Sequence, residues 1–132
     1  MWIRKLHALL IPSLCAMLAA CSANAVHTAL TATDAGSTVN MNVGATLEIS
    51  LQGNPTTGYT WELAPDGQDL LVQEGEAQFR ADSSLLGSGG IVTLRFKALR
   101  QGTAELKLIY HRTFEPNVSP LQTYAVKVVV TK

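Results

Sequence analysis

Period-two alternation of apolar and polar residues dominates this sequence. Ala45-Thr46-Leu47-Glu48-Ile49-Ser50-Leu51 alternates almost without fault, as do Val92-Thr93-Leu94-Arg95-Phe96-Lys97-Ala98 and Ala104-Glu105-Leu106-Lys107-Leu108-Ile109-Tyr110. Tyr124-Ala125-Val126-Lys127-Val128-Val129-Val130 adds a β-branched bias to the same pattern. Alternation turns every second side chain toward one face of a strand, which gives each segment a core side and a water side. No window past the first twenty-one residues sustains the apolar i, i+3, i+4 spacing of a helix. The fold class is therefore all-β. Weaker strands are expected at Ser37 to Asn42, Gly58 to Leu63 and Leu70 to Arg80. About seven short strands separated by turn signals make an antiparallel sandwich or a barrel. Its inward residues are expected to be Leu47, Ile49, Leu51, Trp61, Leu71, Phe79, Val92, Leu94, Phe96, Leu106, Leu108, Tyr110, Val126 and Val128. Side chains of this size contribute roughly 1.5–3 kcal/mol each when buried, enough to sustain one domain.

The N-terminus is of another kind. Residues 1–20 open with Arg4 and Lys5, run through Leu9, Leu10, Ile11, Leu14, Cys15, Ala16, Met17 and Leu18, and end in small residues. That is the composition of a secretory signal, too short to span a bilayer. Its close, Leu18-Ala19-Ala20-Cys21, resembles the bacterial lipoprotein box, in which the cysteine becomes the acylated first residue of the mature chain. Ser22 follows instead of an aspartate, which by the same resemblance implies the outer membrane of the cell envelope. Residues 21–36 are then expected to be the lipidated Cys21 and a small, polar, flexible tether that can end in a first short strand, and residues 37–132 the folded domain.

This reading removes both cysteines from the chemistry, Cys15 with the signal and Cys21 to lipid, so neither a disulfide nor a thiol nucleophile is expected. Arg4 and Lys5 leave with the signal while all ten acids stay, so the mature part carries 8 − 10 = −2. A mildly acidic chain without basic runs argues against nucleic acid. His27 and His111 stand far apart with no cysteine or acidic cluster at metal-ligand spacing, so no metal or cofactor is expected. An enzyme would need a nucleophile, a base and an orienter, and Ser83, Ser84 and Ser88 have no evident base. A monomer is the default.

The connections carry the functional signal. If successive strands reverse direction, the turns at Asn42-Val43-Gly44, Ala64-Pro65-Asp66-Gly67 and Arg100-Gln101-Gly102 fall at one end. The richer loops, at residues 53–57, 81–90 and 113–120, then share the other, as antibody variable domains present their binding loops. In the first, Asn54-Pro55-Thr56-Thr57-Gly58-Tyr59, Pro55 restricts its own backbone and that of Asn54, and Gly58 permits a left-handed angle. Composition alone is also satisfied by a plain turn. The second, Leu85-Leu86-Gly87-Ser88-Gly89-Gly90, suits close backbone approach. A phosphate cradle there lacks both the following helix and the lysine. The third, Arg112-Thr113-Phe114, offers a cation and an aromatic, the residue types that anchor interfaces.

Together these residues resemble the chagasin-like inhibitors of papain-family cysteine proteases. Asn54 to Tyr59, with Trp61 downstream, matches the family's Asn-Pro-Thr-Thr-Gly-aromatic loop, and Gly87 to Gly90 matches its Gly-x-Gly-Gly loop. Arg112-Thr113-Phe114 matches the family's Arg-Pro-Trp only in part, lacking the proline that stiffens the loop and carrying a smaller ring. The resemblance implies an immunoglobulin-like β-sandwich that occludes a protease cleft with three loops. Thr56 would lie near the catalytic cysteine and histidine, the glycine-rich loop on one side and the Arg112 loop, with reduced weight, on the other. The alternative is an envelope lipoprotein whose immunoglobulin-like loops bind a glycan or another protein, since fold does not determine function.

Overall fold

The computed structural model describes residues 26–132, and the expected signal and Cys21 lie outside them. Nine strands run in chain order: β1 His27–Thr31, β2 Thr38–Asn42, β3 Thr46–Gly53, β4 Tyr59–Leu63, β5 Leu71–Gln73, β6 Gln78–Ala81, β7 Gly90–Ala98, β8 Gly102–Arg112 and β9 Gln122–Thr131. Single 3-10 turns occupy Ala32–Asp34 and Pro55–Thr57. One sheet has the order β1-β3-β7-β5, with β6 also paired to β7; the other has the order β2-β9-β8-β4. The two close on each other as a sandwich.

The alternating segments bury the side chains they were expected to bury. Leu47, Ile49, Phe96, Leu106, Leu108 and Val128 lie in the centre of one continuous core together with Trp61, Leu94 and Val126. Val39, Met41, Leu70, Tyr124 and Val130 join them. Phe79 does not. It opposes Val92 in the ladder and so takes the same face, but β6 is the edge strand there and the ring stays 40% exposed.

Two features depart from a seven-strand antiparallel sandwich. Among the described residues the first strand starts at His27, inside the stretch expected to be a tether. β1 adds in parallel to β3, with Leu30 buried against the core, and its only large apolar side chain gave little alternation to read. β2 adds in parallel to β9, so both sheets are mixed. These parallel pairs need no crossover within a sheet, because β1 and β2 lie in different sheets and the Ala32–Asp34 turn carries the chain between them. Tyr124, buried in the second sheet, pins that turn by donating its hydroxyl to the Thr31 carbonyl at 3.0 Å.

The other departure is the split of Leu70 to Arg80 into β5 and β6, where Gly75 takes a left-handed backbone (φ +72°). Both pieces run antiparallel to β7, so the interruption does not reverse the chain. Direction therefore alternates from run to run, and loops 54–58, 82–89 and 113–121 emerge at a common pole. The turns at 43–45 and 99–101 lie at the opposite pole.

Replacing Phe96, fully buried, by alanine should lower the free energy of unfolding by about 3–5 kcal/mol. Phe79→Ala should cost less than about 1 kcal/mol. Urea denaturation of the two variants distinguishes a core that excludes Phe79 from one that needs it.

A three-loop rim organised by Asn54

The first loop is built around Asn54, whose polar groups are all engaged. Its main-chain N–H donates to the Tyr110 hydroxyl oxygen at 2.8 Å. Its main-chain carbonyl accepts from the Thr57 amide at 3.1 Å and from the Thr57 hydroxyl at 2.6 Å. The side-chain oxygen caps the turn, accepting from the Thr56 amide at 3.2 Å and the Thr56 hydroxyl at 2.5 Å. The side-chain amide reaches the second loop and donates to the Gly87 carbonyl at 3.0 Å. Pro55 occupies the first helical position, where its missing N–H leaves nothing unsatisfied. Gly58 ends the turn left-handed (φ +81°), and its amide donates to the Pro55 carbonyl at 3.0 Å.

The second loop packs backbone to backbone against the first. A Cβ placed on Gly89 would stand 3.6 Å from the Gly53 carbonyl, and one on Gly90 would collide with the Arg80 and Ala81 main chain. Ser88 precedes them, its hydroxyl donating to the Gly89 carbonyl. Leu85 and Leu86 project from the tip almost fully into solvent, at 76% and 103% exposure.

The third loop is tied to the first from the other side. Tyr59 opposes Arg112 and Trp61 opposes Tyr110 in the β4–β8 ladder, so all four point to the same face. Trp61 and Tyr110 have ring centroids 5.0 Å apart, Tyr110 and Tyr59 5.2 Å, and the Arg112 guanidinium lies 4.5 Å above the Tyr59 ring. The stack thus rises from the buried Trp61 to the rim. Arg112 Nε donates to the Thr57 carbonyl at 3.1 Å, and the Phe114 ring approaches within 3.0 Å of a Cβ built on Gly58. Phe114 itself is 68% exposed, and Thr113 beside it is exposed as well.

Each residue expected at the site, from Asn54 to Tyr59, Leu85 to Gly90 and Arg112 to Phe114, lies on this one rim. Tyr110 was legible only as a core residue, and its second task as acceptor for Asn54 is not encoded in any local pattern. The Thr56 hydroxyl is committed to Asn54, no ionisable group lies between Asn54 and Tyr59 or between Leu85 and Gly90, and the described residues hold no cluster of three metal-ligating side chains.

The family pattern for chagasin family peptidase inhibitor I42 matches residues 40–128. The chain belongs to the chagasin family. It is 29% identical to amoebiasin-2 of Entamoeba histolytica over 116 residues, covering 87% of this chain and 94% of the relative. Chagasin of Trypanosoma cruzi is 34% identical over 83 residues, covering 58% of this chain and 74% of chagasin. Among solved structures, a cysteine protease inhibitor from Entamoeba histolytica superposes with a TM-score of 0.63 at 26% identity, covering 80% of this chain and 95% of that one. The immunoglobulin-like sandwich expected from the resemblance is thus the family's own fold.

Tyr110→Phe removes the acceptor for the Asn54 amide, which should cost about 1–3 kcal/mol and loosen the turn. Hydrogen exchange at residues 54–58 should accelerate well beyond that of β3 and β8. Unchanged exchange would mean that Asn54 does not hold the loop.

Proposed function

We propose that this chain is a reversible inhibitor of papain-family cysteine proteases and fills their active-site cleft with the three-loop rim. The observation that carries this reading is convergence: Asn54 and Arg112 join all three loops at one pole of a packed scaffold. The family and the cysteine protease inhibitor among its structural neighbours supply the target class.

A plug must occupy the cleft and yet survive it. The Pro55–Thr57 segment is a 3-10 turn, unlike the extended backbone that a protease groove aligns for attack, so its peptide carbonyls are not offered in reactive geometry. The turn is already fixed by Asn54 before binding, which reduces the ordering cost of association. An uncharged apex also loses little hydration on entering the cleft. Thr56, exposed at that apex, is assigned the position closest to the catalytic cysteine and histidine. Leu85 and Leu86 offer apolar surface along one wall of the groove, and Arg112 with Phe114 along the other. With Thr113 in place of the family proline, Arg112 takes over the stiffening of its loop through Thr57 and Tyr59. Three such loops can bury about 1,600 Å², the usual extent of protease–inhibitor contacts. The inhibitor itself performs no chemistry.

We read Cys21 as the lipid attachment site of a bacterial envelope lipoprotein, by the sequence Leu18-Ala19-Ala20-Cys21, with an outer-membrane destination from Ser22. Several acyl chains on one cysteine would anchor the domain stably where a single chain would not.

The test is titration of the soluble domain against papain. Competitive inhibition is expected, and Thr56→Arg should weaken it by about 30-fold or more, the scale of a hot-spot loss, with unchanged circular dichroism. A domain that leaves papain fully active would instead fit the glycan- or protein-binding lipoprotein.

A further inference from the structure

We propose that the pole opposite the inhibitory rim is a membrane-docking face that seats on phospholipid headgroups, so that the rim points away from the bilayer. This rests on the reading of Cys21 as acylated and goes beyond it, because an anchor alone fixes no orientation.

The direction of β1 carries the argument. β1 runs parallel to β3, and β3 ends at the rim, so β1 begins at the opposite pole. Val26 therefore lies at the base of the sandwich, where the Thr46 amide donates to its carbonyl at 3.2 Å. Only five residue steps separate it from Cys21. An extended chain covers at most about 3.6 Å per residue, so the link spans no more than about 18 Å. The sandwich is about twice as tall, since β8 alone has 11 residues at about 3.3 Å each. A tether running to residue 36 would have let any surface rest on lipid; one that ends at Val26 holds the base close to it.

The base has the composition this placement requires. Val26, Val43 and Leu99 are exposed there at 56%, 44% and 53%. They sit on adjoining segments: the Gly44 amide donates to the Ala98 carbonyl and the Val43 amide to the Thr131 carbonyl, each at 2.8 Å. Exposed Lys97, Arg100 and Lys132 lie on the same segments, with Asp69 engaged by Arg100. With Asp66 and Asp69 also exposed on the neighbouring turn, the cations that reach out from these apolar tips are Lys97 and Lys132, whose stems can pack on lipid while the charges reach headgroups. The loop pole has exposed apolar residues too, among them Leu85, Leu86, Phe114 and Leu121, but β1, the strand that follows Cys21 in sequence, starts at the opposite pole.

The test uses the full-length acylated protein in phosphatidylethanolamine–phosphatidylglycerol vesicles, with a single cysteine introduced at the base (Leu99→Cys) or at the rim (Leu86→Cys) and labelled with an environment-sensitive fluorophore. Both positions are exposed, so neither variant threatens the fold. A quencher on the lipid headgroup should quench the base label several-fold more strongly than the rim label, and Val43→Asp should reduce quenching at the base. Equal quenching, or stronger quenching at the rim, in a protein whose intact mass shows acylation overturns the docking face and leaves the anchor standing. An intact mass without acyl chains overturns the anchor and the docking face with it.

Discussion

The geometry of the rim depends on one residue having no unused polar group. Asn54 caps its own turn through Thr56, binds the second loop through Gly87, and hangs from the core through Tyr110. Asparagine suits this place because its side chain both accepts and donates. Aspartate would accept from Thr56 but could not donate to the Gly87 carbonyl, and a serine could not reach both. The loop is held by directional bonds to fixed partners, which is how a short surface segment acquires a single shape without burying much apolar area.

What fixes those partners is the sandwich itself. Tyr110 is immobile because its ring lies between Trp61 and Tyr59, and Trp61 is buried with its indole N–H donated to the Gln52 carbonyl at 2.9 Å. Packing order therefore passes upward from Trp61 through Tyr110 and Tyr59 to Arg112, and sideways from Tyr110 to Asn54. The rim inherits its rigidity from hydrophobic burial in the core, and the polar contacts convert that rigidity into a particular surface. A scaffold arranged in this way can present an uncharged wedge to an enzyme and lose little freedom when it binds.

Much of this is legible in the sequence. The alternating segments around Leu47, Leu94, Leu106 and Val126 declared their buried faces, and strict reversal of direction placed three loops together. That parity argument survived the split at Gly75 because β5 and β6 run the same way along β7. It also survived the addition of β1, which precedes the first counted strand. β1 itself was hidden because one buried leucine in five residues does not make a periodic signal. Phe79 was misplaced because alternation gives a side chain's face and not whether its strand lies at the edge of the sheet. The Asn54–Gly87 and Arg112–Thr57 bonds join residues 33 and 55 positions apart, and no local pattern encodes such pairings.

The most direct measurement of the central claim is a hydrogen-exchange footprint of the domain with and without a bound, catalytically inactivated papain. The account predicts added protection confined to residues 54–59, 85–90 and 112–114, with the turns at 43–45 and 99–101 unaffected. Protection centred on those turns, or on the outer face of either sheet with the rim unchanged, would contradict it.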